Sequence, residues 1–410
     1  MKKELIKLTF TGDIMSSALQ NQACRKEDGT YDYSQVFSPI VGFLRESDYL
    51  CGNLETPIGG SQGHFTDEAA VFNTPESFLS ALKQCGFHYL STANNHAMDR
   101  GEQGLIDTLF FLDKYQFDHS GTYRTEMESR NLLVKEFQGM KVAFISFTYG
   151  VNSEFHGLLL PEEKTYMIDL LKQQSQELRY KPLPPSGLQK IKKQVVRNIP
   201  VSCKEFLRTF LPKRKAQGEL DNVLPVEIHN PDNERYMERV RLKIRKACTH
   251  ADFVVCNLHC GGQYNNEIGA YTQFIHRELK KEGVDLIVGN HPHCILPYQL
   301  YETGLSTYSL GNFTFTPYDG WYIDGVLADY SVLLHAYLNP IEKTIEKYTF
   351  SIVKNVRTSE LLTQTFLLYD LIRKEDNTVK KASLLIDNRE AIKRFTGKEI
   401  ETIQKEYVLN

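Results

Sequence analysis

The chain has 410 residues, a formal net charge of −3 and 41% hydrophobic content. That is enough apolar material for one large domain with additions, or for two domains. The near-neutral charge excludes a broad basic field, so nucleic acid is not expected as a partner; no apolar run approaches the ~20 residues needed to span a bilayer, so no transmembrane segment is expected.

The opening Met1-Lys2-Lys3-Glu4-Leu5-Ile6-Lys7 is basic but lacks the apolar core of a signal peptide. A soluble protein, cytoplasmic as encoded, is the expectation. Cys24, Cys51, Cys85, Cys203, Cys248, Cys256, Cys260 and Cys294 form no CxxC pair. They read as reduced, mostly buried thiols.

In chain order, Lys7 to Asp13 reads as a first strand ending in Gly12-Asp13. An aspartate at a strand tip is a hard oxygen ligand on a rigid support; a turn Asp beside a turn Gly is the plain alternative. Phe37 to Glu46 reads as a helix. Asp48 to Glu55 is a second strand, and its last polar residues, Asn53 and Glu55, share one face. Gly59 to His64 is a flexible loop that leaves His64 exposed. Thr74 is expected to cap a helix with Pro75 in its first position; Phe78, Leu79 and Leu82 form its apolar face and Gly86 stops it. Phe87 to Ala93 is a third strand. It delivers Asn94-Asn95-His96-Ala97-Met98-Asp99-Arg100-Gly101, after which Leu105, Leu109 and Leu112 mark an amphipathic helix. The repeated strand–loop–helix order predicts βαβ units. The amide oxygen of Asn95 can bind a metal, and His96 can act as acid or base with Asp99 holding its tautomer. An Asx turn capping the next helix is compatible with both roles.

Lys141 to Tyr149 is a fourth strand. From Ser153 the chain turns polar and rich in Lys and Arg, and loses strand patterning. This predicts a largely helical insertion over 153–245, whose basic residues, among them Lys190, Arg197 and Arg208, read as a solvated surface rather than a substrate face. Glu234 to His250 is a helix. Asp252 to Leu258 is an apolar strand that ends in His259-Cys260-Gly261-Gly262. Thr272 to Glu282 is another helix, and Asp285 to Val288 a strand ending in Gly289-Asn290-His291-Pro292-His293. Leu296 to Tyr301 and Leu305 to Leu310 form a hairpin that runs into Gly311-Asn312-Phe313. Asp329 to Tyr337 and Tyr348 to Val353 alternate as antiparallel strands. The stretch from Ser359 to Asn410 is charged, helix-prone and without a motif.

Three imidazoles thus stand past the ends of two strands, at the edge where open α/β sheets bind ligands. With Asp13, Glu55 and Asn95, the set His259, His291 and His293 mixes carboxylate, amide oxygen and imidazole. That mixture suits Mn²⁺, Fe or Zn²⁺ better than Ca²⁺ or Mg²⁺. It exceeds the three protein ligands of one catalytic zinc. It suits two divalent transition-metal ions about 3.5–4 Å apart, with Glu55 as the bridge and a water activated between them.

Taken together, Gly12-Asp13, Asn53-Leu54-Glu55, Asn94 to Gly101, His259-Cys260-Gly261, Gly289 to His293 and Ser309-Leu310-Gly311-Asn312-Phe313 resemble the CapA family. These are bacterial capsule (poly-γ-glutamate) synthesis proteins of the calcineurin-like metallophosphoesterase superfamily. The resemblance spans about residues 5–150 and 245–320. It implies an α/β protein built as a four-layer αββα metallophosphoesterase-like sandwich over 1–340, interrupted by the 153–245 insertion and followed by a C-terminal extension, 341–410. It implies that Asp13, Glu55 and His293 hold one ion, and Glu55, Asn95, His259 and His291 the other. It makes His96 the general acid, supported by Asp99, and it places Asn53 and Asn312 behind the ligands or against the substrate. Asn94 and Cys260 are further candidates for those places, with a buried spectator thiol as the plainer reading of Cys260. Two departures stand out. Asp13-Ile14-Met15 replaces the Asp-x-His often found in the superfamily, leaving the first ion fewer protein ligands. His259-Cys260-Gly261-Gly262-Gln263-Tyr264 replaces His-Trp-Gly-x-Glu-Tyr. Family members are usually anchored in the membrane and face outward.

The expected function is a metal-dependent hydrolase of a phosphoester or of an amide in a γ-glutamyl polymer, linked to capsule or poly-γ-glutamate synthesis and to a capsule synthesis complex. The rival is a non-catalytic metal- or ligand-binding component of a polymer synthesis or export complex.

Overall fold

The structure, a computed structural model, describes residues 5–59, 65–66, 71–153, 157–174, 228, 230–314 and 325–409. His64 and the basic residues Lys190, Arg197 and Arg208 lie outside the described residues. The chain starts with β1 (Ile6–Ile14), then α1 (Ala18–Cys24), α2 (Ser34–Phe37), α3 (Val41–Leu44) and β2 (Tyr49–Leu54). A short pair, β3 (Ile58–Gly59) and β4 (Thr74–Pro75), leads to α4 (Ser77–Cys85), β5 (Phe87–Ser91), α5 (Gly101–Lys114) and β6 (Asp118–Ser120). After α6 (Glu126–Ser129) come β7 (Leu133–Phe137), β8 (Met140–Thr148), α7 (Pro231–His250), β9 (Phe253–His259), α8 (Ala270–Lys281) and β10 (Leu286–Asn290). The hairpin β11 (Ile295–Tyr301) and β12 (Gly304–Leu310) is followed by β13 (Asn312–Thr314), β14 (Tyr330–Asn339), β15 (Thr344–Arg357), β16 (Thr363–Leu367), α9 (Leu368–Lys374), α10 (Thr378–Thr396) and β17 (Tyr407–Val408).

These strands form two large sheets. The first has the order β16-β15-β14-β1-β2-β5-β6, with β13 on β1 and β17 on β15; the second runs β11-β12-β10-β9-β8-β7. β1, β2, β5 and β6 are mutually parallel, and so are β8, β9, β10 and β12. Each parallel set therefore brings its C-terminal ends to one edge.

Side-chain alternation along the strands makes the layers. On β2, Tyr49 and Cys51 join Leu8 and Phe10 of β1 in a core shared with Phe144, Val255 and Val288 of the second sheet. Leu50 and Leu54 face the other way, onto Phe78, Leu82, Leu105 and Leu109 of α4 and α5. On β9, Phe253 and Val255 point between the sheets, while Val254, Cys256 and Leu258 pack under Val240, Ile244, Ile275 and Leu279 of α7 and α8. Helix, sheet, sheet, helix is the resulting order, as expected of a four-layer αββα sandwich. Each fully buried aliphatic or aromatic side chain in such layers contributes roughly 1.5–3 kcal/mol. The same period of two carries Asn53 and Glu55 into the space between the sheets, behind Tyr49 and Cys51.

Three expectations are corrected. Thr74 and Pro75 do not open a helix: they pair in parallel with Ile58 and Gly59. Thr74 donates its N–H to the Pro57 carbonyl and shares a 2.7 Å hydroxyl contact with Thr56, so its groups are already used when α4 begins at Ser77. Gly86 does end that helix, at φ 95. Phe37 to Glu46 is not one helix but α2 and α3 separated by Ser38-Pro39-Ile40, because proline lacks the N–H and restricts the residue before it. The last fifty residues are not all helical. Thr363, Thr365 and Leu367 alternate inward on β16, and Tyr407 closes β17 onto Phe350 of β15. Residues beyond 341 thus continue the first sheet through β15 and β16. Cys24, Cys51, Cys85, Cys248, Cys256, Cys260 and Cys294 are free thiols.

Candidate metal centre

All six expected ligands stand at or just past strand ends of the two sheets. β1 supplies Asp13, the residue after β2 is Glu55, β9 ends at His259, and the turn after β10 carries His291 and His293. Asn95 follows β5. Asp13 depends on a close backbone approach. Its N–H donates to the Gly311 carbonyl at 3.0 Å, and a Cβ added at Gly12 would stand 1.8 Å from that same oxygen. Only glycine fits there.

Glu55 is the centre of the cluster. It is 0% exposed, and among the described residues neither carboxylate oxygen has a hydrogen-bond partner. Burial raises its pKa well above the usual carboxylate value, and the charges of Asp13 and Asp99 add to the rise. Its Oε1 lies 3.4 Å from His259 Nε2, 3.7 Å from His293 Nε2 and 3.9 Å from His96 Nε2. Glu55, His259 and His291 offer ligand atoms all within 4.8 Å of one another, and so do Asp13, Glu55 and His293. The two groups share Glu55.

Burial first, and then the neighbouring imidazoles, hold His259 and His291 well below the usual histidine value. Both rings are therefore neutral at neutral pH, the form that ligates metals. His291 and His293 adopt left-handed backbone at φ 100 and φ 56. Such conformations cost about 1–3 kcal/mol each in non-glycine residues and cluster at functional sites. The His291 N–H donates to Asp13 Oδ2 at 3.1 Å, so the strained turn is tied to the first strand.

Asn312 sets the proton on His293. Its amide group donates to the carbonyls of His293 and Ala328, at 3.0 and 2.9 Å, and carbonyls only accept. Its Oδ1 must then accept from His293 Nδ1, 2.9 Å away, which leaves the lone pair on Nε2, the nitrogen facing Glu55. Asn53 Nδ2 donates to Asp13 Oδ1 at 2.8 Å and sits 3.1 Å from His259 Nδ1, while Ser91 Oγ donates to Asn53 Oδ1. Asn95 Oδ1 lies 2.7 Å from His259 Nε2. Asn94 works as a brace: it donates to the Leu54 carbonyl and accepts the His96 N–H.

His96 Nδ1 and Asp99 Oδ2 are 2.7 Å apart, and Asp99 also accepts the Phe72 N–H at 2.7 Å. The Phe72 ring meets the His96 ring edge to face at 4.6 Å. This arrangement directs His96 Nε2 to the Glu55 side of the cluster.

Of the expected site residues, one is not brought in. Cys260 lies in the apolar layer outside the second sheet, its sulfur 3.8 Å from the Thr272 hydroxyl. Strand parity gives the reason: with Phe253, Val255 and His259 facing inward, Cys260 faces out. Residues the sequence reading missed are Tyr149, whose ring is 4.8 Å from that of His291, Tyr264, whose ring is 5.4 Å from that of His293, and Asn152, which accepts from Asn95. Asn152 follows the end of β8, the same signal that marked Asp13 and Asn95.

The donor set fits divalent cations. A buried carboxylate with no donor among the described residues carries several kcal/mol of unfavourable desolvation, and Asp13 and the imidazoles of His259, His291 and His293 stand around Glu55.

The sequence profile of the family described as bacterial capsule synthesis protein PGA_cap matches residues 7–317. The chain belongs to this family. It is similar to the capsule biosynthesis protein CapA of Bacillus anthracis, with 24% identity over 78% of this chain and 62% of the relative. It is also similar to the PGA biosynthesis protein CapA of Bacillus subtilis (strain 168), with 26% identity over 78% of this chain and 65% of the relative. The chain thus spans less than two thirds of the length of these two PGA_cap-type relatives. Among solved structures, a crystal structure described as a novel phosphatase from Mycoplasma pneumoniae aligns with 13% identity and a TM-score of 0.40, over 85% of this chain and 94% of that one. Among the described residues, no helix is long and apolar enough to cross a membrane.

Proposed function

We propose that this PGA_cap family member is a metal-dependent hydrolase of the CapA type, acting on a phosphoester or an amide in capsule or poly-γ-glutamate synthesis. The observation that carries this reading is Glu55: fully buried, without a hydrogen-bond partner among the described residues, and common to both ligand groups. Asp13, Glu55 and His293 would hold one divalent transition-metal ion; Glu55, Asn95, His259 and His291 would hold the other. Two such ions supply Lewis acidity at the attacked group and make a water nucleophilic near neutral pH.

The chain's own residues do the rest. Asn312 keeps the His293 proton on Nδ1, and Asn53 ties Asp13 to the His259 ring. His96 gives a proton from Nε2 to the departing oxygen or nitrogen, and Asp99 holds the ring and balances the imidazolium that precedes the transfer. The wall formed by Phe72, Tyr149 and Tyr264 limits water around the rings it touches.

The test is turnover by the Mn²⁺-loaded protein on a panel of phosphodiesters and γ-glutamyl peptides, beside the Asn95→Ala, His96→Ala double variant. Hydrolysis by the wild type and none by the variant is expected. Equal turnover by the two removes the mechanism. Protein that retains no transition metal after purification without chelator, and binds none on titration, supports instead a binding component of a polymer synthesis or export complex.

A further inference from the structure

The loop that follows β8 touches the centre at three points. The Tyr149 N–H donates to the His259 carbonyl at 3.1 Å, the Tyr149 ring lies 4.8 Å from His291, and Asn152 Oδ1 accepts from Asn95 Nδ2 at 3.1 Å. Asn95 stands at the tip of the first sheet and Asn152 at the tip of the second, so this last bond crosses between the sheets. Asn152 is 8% exposed and has φ 55. Asparagine is one of the few residues other than glycine that tolerates that backbone region. The Thr148 hydroxyl closes the loop behind it, donating to the Gly150 carbonyl at 2.9 Å.

A side-chain amide has two unlike ends. Only the oxygen ligates a cation; the NH₂ repels it and needs an acceptor elsewhere. Asn95 Oδ1 already faces His259 Nε2 at 2.7 Å, which leaves its NH₂ pointing the other way, at Asn152. We propose that Asn152 is a positioning residue for the second ion: its oxygen takes the Asn95 NH₂ and so keeps the Asn95 oxygen turned into the centre. This rests on the two-ion reading given above. It adds a residue that belongs to none of the six matched motifs and comes from the opposite sheet.

The backbone conformation makes a clean test available. Asn152→Gly removes the acceptor while leaving φ 55 comfortable. Asn152→Asp keeps an acceptor at the same place and also tolerates the conformation. Mn²⁺ is titrated calorimetrically into metal-stripped full-length protein, and the loaded samples are read by electron paramagnetic resonance for the exchange-coupled ion pair. The expected result is two ions in the wild type and in Asn152→Asp. In Asn152→Gly one binding step, that of the ion at Asn95, His259 and His291, falls by about 10–100-fold, the size seen when a partner behind a ligand is lost. The step at Asp13 and His293 stays within about twofold, and the coupled signal gives way to that of an isolated ion. The unchanged step shows that the variant is folded. Two ions bound at wild-type affinity by Asn152→Gly would overturn the proposal alone. So would equal losses in the Gly and Asp variants, which would mark a merely structural loop. A wild type that takes up fewer than two ions would overturn the two-ion reading, and this proposal with it.

Discussion

The two ends of β1 hold carboxylates in opposite ways, half-buried at one end and fully buried at the other. At its start, Glu406 Oε2 accepts from the Lys7 ammonium at 2.8 Å, and Oε1 accepts from the Tyr337 and Thr349 hydroxyls at 2.5 and 2.6 Å. Burial pushes the Glu406 pKa up, but His335, Lys7, Thr349 and Tyr337 outweigh it and bring the carboxyl down to about 2. At the other end, beside Asp13, Glu55 has no donor among the described residues, and its pKa goes up. The protein completes the first carboxylate with its own groups. The second is not completed by the described residues. A carboxylate drawn out of water is thus a stabilising fixture in one place and a liability in the other, and only the liability is fit to grip a cation.

The largest expected effect follows from removing that liability. Glu55→Gln should abolish binding of both ions and reduce hydrolysis to background, because the bridge serves both groups. Yet without metal the variant should melt higher than the wild type, by about 1 °C per kcal/mol of relieved desolvation. Calorimetric melting of chelated samples checks this. The sign with pH is fixed. The folded carboxyl titrates above the ordinary value of 4.5, so the stability it contributes is full below about pH 4.5 and is lost as pH rises through the raised value. The advantage of Gln should therefore vanish at low pH and grow toward neutrality.

Next in size is His96→Gln. Turnover should fall by about 10²–10⁴ with the metal content unchanged, measured by steady-state rates and elemental analysis. Asn312→Ala should come third. With the His293 proton no longer fixed on Nδ1, the affinity for the ion at Asp13 and His293 should drop by about 10–100-fold. Metal removal by chelation should lower the melting temperature of the wild type, by the equivalent of about 2.7 kcal/mol relative to protein held at 100 times its dissociation constant. The smallest effect on the centre, though not on the fold, belongs to the other end of β1. Glu406→Gln should cost about 1–3 kcal/mol at pH 7 and leave metal affinity untouched. Because the folded Glu406 pKa is depressed, its contribution is present above about pH 4.5 and is lost as pH falls toward 2. Chemical denaturation across that window should show the two proteins converging.

How much of this could be read in the sequence follows from where the information sits. Asp13, Glu55, Asn95, His259, His291 and His293 each stand where an apolar run stops, so strand patterning alone exposes them. The period of two even orients Asn53 and Glu55, and applied to β9 it would have turned Cys260 away from the centre. Thr74-Pro75 misled because a good capping residue was already bonded to Pro57 and Thr56, partners 17 and 18 positions back in the chain. Asn152 was legible only as another polar residue after a strand. Its use depends on the NH₂ of Asn95 pointing at it across two sheets, and no local pattern records that. The strands at Thr363–Leu367 and Tyr407–Val408 were hidden in a charged stretch because each is short and sits on an edge already built by β15.

The contact between Gly12 and Gly311 has a further consequence. Asp13 is aimed by two backbones pressed together with no room for one extra carbon. A methyl group at Gly12 would act as a wedge, prising β13 from β1 and swinging the carboxylate off target, although every donor atom would still be present in the chain. The chemistry of this edge is thus guarded by a residue that has no chemistry of its own.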